Sequence, residues 1–192
     1  ADALIAANVM CHIPDLHGVA QGIDHLLSPM GVLVFEEPYL GDMIKNTAYD
    51  QIYDEHVYIF SARSVINIFS KHGFELIDVK PQSTHGGSMR YILARKGKRA
   101  VSPSIEKQLN YEDKNNLHIR STYDLFREKC ELSRKNLVSI LQQQKKDGRQ
   151  VVGYAATSKS TTILNYCKIG PDLIEFISDT TPIKQGKYSP GV

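Results

Sequence analysis

Short apolar runs alternate with helically spaced apolar positions along most of this chain. Ala3–Ala7 is a short apolar run that reads as a buried strand. Val19, Ile23, Leu26 and Leu27 then recur at helical spacing, behind a Pro14 placed where a proline is tolerated in a first helical turn. Ser28-Pro29-Met30-Gly31 stops that helix. Residues 31–35 are continuously apolar, as in strands buried on both faces of a parallel sheet. Glu36-Glu37-Pro38-Tyr39 follows at the C-terminal end, where open α/β sheets carry their ligands. Ser61 predicts the N-cap of a helix over 62–72, closed by Gly73. Residues 74–79 and Ser88–Arg95 read as strands joined by 81–87, an antiparallel hairpin at a sheet edge. Residues 1–97 therefore read as the second half of a doubly wound domain with an antiparallel tail.

Residues 98–148 change character. They are polar, with Leu125, Cys130 or Leu132, Leu137, Ile140 and Leu141 at helical spacing, which predicts one long helix over 117–147 ended by Gly148. Residues 151–156 predict a new strand, Thr157 to Cys167 a helix, and 173–178 a further strand: a second βαβ unit.

Composition narrows the class of function. The chain has 192 residues and a formal net charge of +2, enough for one large or two small domains. Basic residues are scattered apart from a small cluster at 95–99, so nucleic acid is not an expected partner. No apolar run reaches the length of a membrane span, and Asp2 lies where a signal peptide would be basic. Cys11, Cys130 and Cys167 are widely spaced and odd in number. They suggest neither a disulfide framework nor a zinc pattern, no metal site is expected within this chain, and a reduced, cytoplasmic setting is. The ends read as those of a fragment or of the ordered part of a longer chain.

The candidate chemistry gathers in two places. Tyr53-Asp54-Glu55-His56 sets a phenol, carboxylates and an imidazole within four residues. Thr84-His85-Gly86-Gly87-Ser88 sets a second imidazole before a Gly-Gly turn. Imidazole titrates closest to neutrality, and a neighbouring carboxylate orients it or raises its basicity. Farther on, Gly153, Ala155 and Ala156 are small, and Ser158, Ser160, Thr161 and Thr162 place hydroxyls at a helix N-terminus beside Lys159. Such a turn suits a phosphate. A hydroxyl-rich capped turn explains the same residues equally well, since the stretch is neither a P-loop nor a GxGxxG loop.

Five motifs in order carry a resemblance: 8–15 (NVMCHIPD), 50–56 (DQIYDEH), 84–90 (THGGSMR), 151–154 (VVGY), and Lys184-Gln185-Gly186 running to Pro190-Gly191. The series resembles the sugar C-methyltransferases that act on nucleotide-linked keto-deoxysugars, and the resemblance covers essentially the whole chain. It implies the C-terminal half of a Rossmann-like class I methyltransferase domain at 1–97, a helical connector at 98–148, and the start of a second Rossmann-like α/β domain, which binds the nucleotide-sugar, at 149–192. A cysteine-rich zinc domain and a glycine-rich cofactor loop, both present in such enzymes, are not in this sequence. Ala155 stands where the family has the second glycine of Gly-Tyr-Gly-Ala, and its methyl group narrows the approach of a diphosphate.

The resemblance implies S-adenosylmethionine as cofactor and a ketosugar linked to thymidine diphosphate as substrate. C-methylation beside a ketone needs a base to form an enolate, a donor for the enolate oxygen, and close approach of the two reactants. By resemblance His56 is the base, and Glu55 orients the sugar or His56. Tyr53 and His12 donate to the enolate oxygen or to sugar hydroxyls. Asn8 and Glu37 are placed at the cofactor. His85 either lines the sugar pocket or holds the hairpin turn. Ser158, Lys159 and Ser160 are expected at the diphosphate, Asp179 at the ribose or base, and Lys184 and Gln185 in the next loop. The plain alternatives are a packed aromatic for Tyr53 and a solvated helical residue for Glu55. A non-catalytic nucleotide-sugar-binding module and a Rossmann-type NAD protein are the competing readings of the chain.

Overall fold

In the computed structural model, which describes residues 1–190, strand β1 (Ala3–Ala7) runs parallel to β2 (Val32–Pro38), with Ala3 opposite Val32 and Ala7 opposite Glu36. Gly191, the end of the last motif, and Val192 lie outside the described residues. The helix between the two strands, α1 (Leu16–Leu26), starts one residue after Asp15, whose carboxylate accepts the Gly18 N–H. Asp15 supplies a capping oxygen that Pro14 lacks, so Pro14 precedes the cap and lies outside the first turn.

The predicted hairpin forms from β3 (Phe74–Gln82) and β4 (Ser88–Arg95), but it is not an edge appendage. The sheet order is β1-β2-β4-β3, so β4 sits inside and pairs antiparallel with β2 as well. β4 opposes both neighbours, and the C-terminal ends of β1, β2 and β3 therefore share one rim. β3 also runs longer than predicted and takes in Pro81. As the edge strand, it tolerates a residue that donates no ladder bond.

Neither apolar run is buried as expected: in 31–35 Leu33 and Phe35 are buried but Val32 and Val34 only half-buried, and β1 is an edge strand with Ile5 exposed. The Phe35 ring packs 5.0 Å from that of its cross-strand partner Tyr91 and 5.8 Å from both Phe60 and Phe69. Beyond β2, α2 (Leu40–Asn46) leads to the turn carrying Tyr53–His56, and Glu55 lies in that turn rather than on a helix. The expected 62–72 helix divides into α3 (Ala62–Phe69) and a 3₁₀ turn, Ser70–His72, before Gly73 at φ +75°. Ser61 and Ser64 cap its start reciprocally.

Residues 98–148 hold the helix expected over 117–147 and another ahead of it. Ser102 caps α4 (Pro103–Lys114), and α5 (Arg120–Lys146) follows. Asn116 in the left-handed region (φ 53°) and Leu117, buried in the core, interrupt the helical path between them. Of the predicted α5 stripe, Leu125, Leu132 and Ile140 are exposed, and the buried positions are Phe126, Cys130 and Leu141.

Contacts divide the described residues into two compact units. Ala1–Ala48 with Asp54–Thr122 form the first, and Tyr49–Tyr53 with residues from Tyr123 onward form the second. In the second unit, β5 (Gly153–Tyr154) pairs parallel with β6 (Ile177–Ser178) across α6 (Ser158–Cys167). Both strands are much shorter than predicted. Leu173 and Ile174 instead turn back on the carbonyl of Gly170, and Leu141, Leu164, Cys167 and Ile169 form the buried core.

Candidate functional site

The shared rim of the first unit brings the N-terminal histidine motif to His56. After β1, Asn8 adopts φ 53° and its N–H bonds to the Glu36 carbonyl at 2.9 Å. Asparagine is among the few residues that tolerate this conformation. The chain then enters a 3₁₀ turn, Met10–His12. Glu37, fully buried at the end of β2, accepts the N–H groups of Val9 at 2.9 Å and Met10 at 2.6 Å through Oε1. The carboxylate pairs the Met10 N–H, which would otherwise be buried without a partner.

Two further bonds stitch the turn to the segment that carries His56. His12 Nδ1 donates to the Glu55 carbonyl at 2.7 Å, and Tyr58 N–H donates to the Cys11 carbonyl at 3.2 Å. The rings of His12 and His56 lie 5.2 Å apart, both half-buried. A carbonyl oxygen only accepts, so Nδ1 of His12 holds the proton, and Nε2 carries the lone pair of the neutral ring. Cys11 completes the cluster: one ligand atom from each of Cys11, His12 and His56 lies within 4.8 Å of the others. Burial and the neighbouring Glu37 carboxylate push the Cys11 thiol well above its ordinary range.

Glu55 itself is exposed, and its contribution to the cluster is its main-chain carbonyl. Tyr53 groups with the second compact unit, whereas Asp54, Glu55 and His56 group with the first.

His85 sits at the same rim in an exposed 3₁₀ turn, Thr84–Gly86, at φ 54°. Around it the hairpin is pinned to β2: Thr84 donates to Glu36 Oε1 at 2.9 Å, and Arg90 donates to Glu36 Oε2 from Nη2 at 2.8 Å and from Nε at 3.2 Å. Burial of Glu36 opposes its ionisation, but the bonds from Arg90 and Thr84 outweigh it and hold the carboxyl below its usual range. Gly87 passes so close to α2 that a Cβ would stand 2.4 Å from that of Asp42. Burial raises the Asp42 carboxyl, partly offset by Lys45.

The second unit places its candidate residues around two adjacent loops. Ser160 is spent on the capping box of α6: its Oγ donates to the Thr157 carbonyl at 2.7 Å and accepts the Thr157 N–H at 2.8 Å. Asp179 accepts the N–H groups of Ala156 at 2.7 Å and Thr181 at 2.8 Å. Those bonds from Thr181 and Ala156, aided by the charge of Lys184, hold its carboxyl far below the usual range. Lys184 Nζ donates to the Ala156 carbonyl at 2.6 Å, and Gln185 donates to the Asp179 carbonyl at 3.2 Å. Asp179, Lys184 and Gln185 therefore form a clasp that holds both polar groups of the Ala156 backbone. An open cavity of about 900 Å³ lies beside this clasp, lined among others by Ser158, Asp179, Lys184, Gln185 and Tyr188; Lys159 and Ser160 are not in its lining. Ala155 adopts φ 71°, the region that favours glycine.

Cys11 is the member of the first-unit cluster that sequence reading passed over. It neighbours His12 in the chain, but its approach to His56 depends on the turn that Glu37 holds.

A family model described as the C-methyltransferase C-terminal domain matches residues 83–192, and one described as a methyltransferase domain matches residues 1–79. The C-methyltransferase NovU of Streptomyces niveus is 36% identical over 181 residues, which is 94% of this chain and 43% of that protein. The chain thus spans less than half the length of that relative. The crystal structure of the N-methyltransferase NodS from Bradyrhizobium japonicum WM9 is 20% identical, covering 49% of this chain and 50% of that one at a TM-score of 0.34.

Proposed function

The chain belongs to the C-methyltransferase C-terminal domain family, and from that premise we propose that it forms part of an S-adenosylmethionine-dependent enzyme that methylates a ring carbon of a nucleotide-linked keto-deoxysugar. Thymidine diphosphate is the proposed carrier, and the carbon lies beside the ketone. What supports this most is the approach of His12 and His56 at the rim where β1 and β2 end. A histidine pair beside an anchored carbonyl is suited to moving a proton, which enolate formation requires.

Bound S-adenosylmethionine supplies an electrophilic methyl group. Asn8 fits the wall of its site, being exposed at the end of β1. Glu37 is fully buried and bonded to the backbone of Val9 and Met10, so its part is to hold that wall from behind. His56 takes the proton from the carbon beside the ketone, and the bonding pair moves onto the ketone oxygen. His12 donates to that oxygen from Nε2 in its protonated form, because Nδ1 is already committed to Glu55. The Glu55 carboxylate, exposed beside them, orients the sugar. His85 is proposed to hold the hairpin turn at the sugar pocket.

The nucleotide is proposed for the second unit, with its diphosphate at the start of α6 near Ser158 and Lys159. Ser160 then acts by capping that helix, and Asp179, Lys184 and Gln185 act by fixing the loops that line the cavity.

The test uses the full-length enzyme in deuterated water without cofactor. His56→Ala is expected to abolish deuterium uptake at the carbon beside the ketone, and near-normal uptake and turnover would remove His56 as the base. Calorimetric titration of this chain with a thymidine diphosphate sugar addresses the second unit. An unchanged affinity in the Lys159→Ala variant would move the diphosphate elsewhere.

A further inference from the structure

We propose that Cys11, His12 and His56 form a three-ligand site for a borderline-soft divalent cation such as Zn²⁺. Three observations carry this. The first is proximity: the three ligand atoms lie within 4.8 Å of one another. Ligands around a tetrahedral zinc stand roughly 3.5 Å apart, so small side-chain rotations close the set. The second is orientation. His12 is fixed by its Nδ1 bond to the Glu55 carbonyl, the outer-shell arrangement that aims the other ring nitrogen of a metal-binding histidine.

The third observation is rigidity. Cys11 and His12 stand on a turn whose first N–H groups are gripped by the buried Glu37. The segment around His56 is fastened to the same turn from both sides, by Glu55 to His12 and by Tyr58 to Cys11. Hydrogen bonds of the polypeptide itself therefore join the two ligand-bearing segments.

One thiolate and two imidazoles select Zn²⁺, Co²⁺ or Cd²⁺ over Mg²⁺ and Ca²⁺, which prefer oxygen. Three protein ligands leave a fourth position open, as in catalytic rather than structural zinc sites. Binding exchanges the S–H bond of Cys11 for a sulfur–metal bond and releases one proton to solvent, so affinity rises with pH. An ion held there withholds both histidines from proton transfer and inhibits the enzyme. That consequence rests on the function proposed above; the cation site itself does not.

The experiment is titration of this chain with Co²⁺ followed by absorbance. The expected result is a thiolate-to-cobalt charge-transfer band that saturates at one equivalent and is displaced by Zn²⁺. Cys11→Ser abolishes the band. His12→Gln and His56→Gln each weaken binding about tenfold or more. Cys130→Ser and Cys167→Ser leave it unchanged. Absence of the band at saturating Co²⁺, or its survival in Cys11→Ser, overturns the site. Should the buried Cys11→Ser variant fail to fold, unaltered affinity in His56→Gln overturns it instead. Zn²⁺ binding that leaves methyl transfer untouched in the full-length enzyme would overturn the catalytic placing of the histidines while the cation site stands.

Discussion

His12 donates through Nδ1 to the carbonyl oxygen of Glu55 at 2.7 Å, so a main-chain atom sets the tautomer of the ring. Asparagine at position 12 retains a donor at the Nδ1 position but has no equivalent of Nε2. In the full-length enzyme, His12→Asn is expected to keep the fold and lower kcat by about 10²-fold. His12→Gln, which lacks the donor at the anchored position, is expected to lose thermal stability as well. Equal turnover in His12→Asn and the parent would remove Nε2 from the chemistry.

Ala155 occupies a left-handed conformation at φ 71°. An L-residue with a Cβ is strained there, whereas glycine is not. Ala155→Gly is expected to stabilise the second unit by about 0.5–1 kcal/mol, after allowing for the greater freedom of glycine in the unfolded chain. Denaturant unfolding with unchanged slope checks this. A lower midpoint would show that the methyl group makes contacts worth more than the strain.

Gly86 and Gly87 are expected to behave differently despite being neighbours. At Gly86, φ +81°, an added Cβ meets nothing within 4 Å, so Gly86→Ala bears backbone strain of about 1 kcal/mol. At Gly87, φ +129°, the Cβ runs into Asp42, and Gly87→Ala is expected to cost about 2–4 kcal/mol. It also disturbs the bond from Tyr39 N–H to the Gly87 carbonyl, 3.1 Å, which joins the hairpin to the start of α2. Thermal melts of the two variants decide the matter; equal losses would contradict the contact with Asp42.

Glu112 of α4 is fully buried and accepts three bonds: from Ala62 N–H at 2.7 Å, Arg63 N–H at 3.1 Å and the Tyr39 hydroxyl at 3.2 Å. It thus serves the open N-terminus of α3 from another helix. Glu112→Ala leaves those donors buried and unpaired and is expected to destabilise the first unit by about 3–5 kcal/mol. Glu112→Gln, which keeps one accepting oxygen, is expected to lose less. Chemical denaturation that ranks the two variants alike would refute this.

Tyr166 donates to Glu131 at 2.6 Å, and that bond, with some burial, pushes the phenol up to about 12. A phenol whose folded value exceeds the unfolded one of about 10 stabilises the fold fully below pH 10. The contribution disappears as pH rises through the folded value. Stability of the second unit is therefore expected to fall between about pH 10 and 12, and Tyr166→Phe flattens that decline. Melting temperature against pH for both proteins provides the check.

The first half of the fold is readable where a strand carries an apolar run and where α1 and α3 carry side-chain caps, whereas α2, with no capping side chain, leaves no such mark. Ser61, Gly73 and the 31–35 run determine their elements locally. β5 and β6 were overestimated because Val151 and Leu173 are apolar for a different reason: they pack on the small core under α6. Apolar periodicity cannot separate that from strand burial. The helix expected over 117–147 corresponds to α5, whereas the largely polar α4 has no counterpart in that reading. At the rim, His12 and His56 were visible as types. Their approach depends on Glu37, a residue whose bonds are all long-range.

The position of β4 has a consequence for the order in which the chain acquires structure. β1 and β2 lie close in sequence and can pair early, but the other edge of β2 waits for its partner, since Val32 faces Ala94. Until residues 88–95 arrive, β2 has one edge open, and closing that distance draws on loop entropy that only the completed pairing repays. The hairpin itself is local in sequence, so its closure draws on less loop entropy than the seam with β2. Assembly of this sheet therefore amounts to docking the hairpin onto a waiting edge. The Glu36–Arg90 pair lies on that seam and would close last, together with the rim it braces.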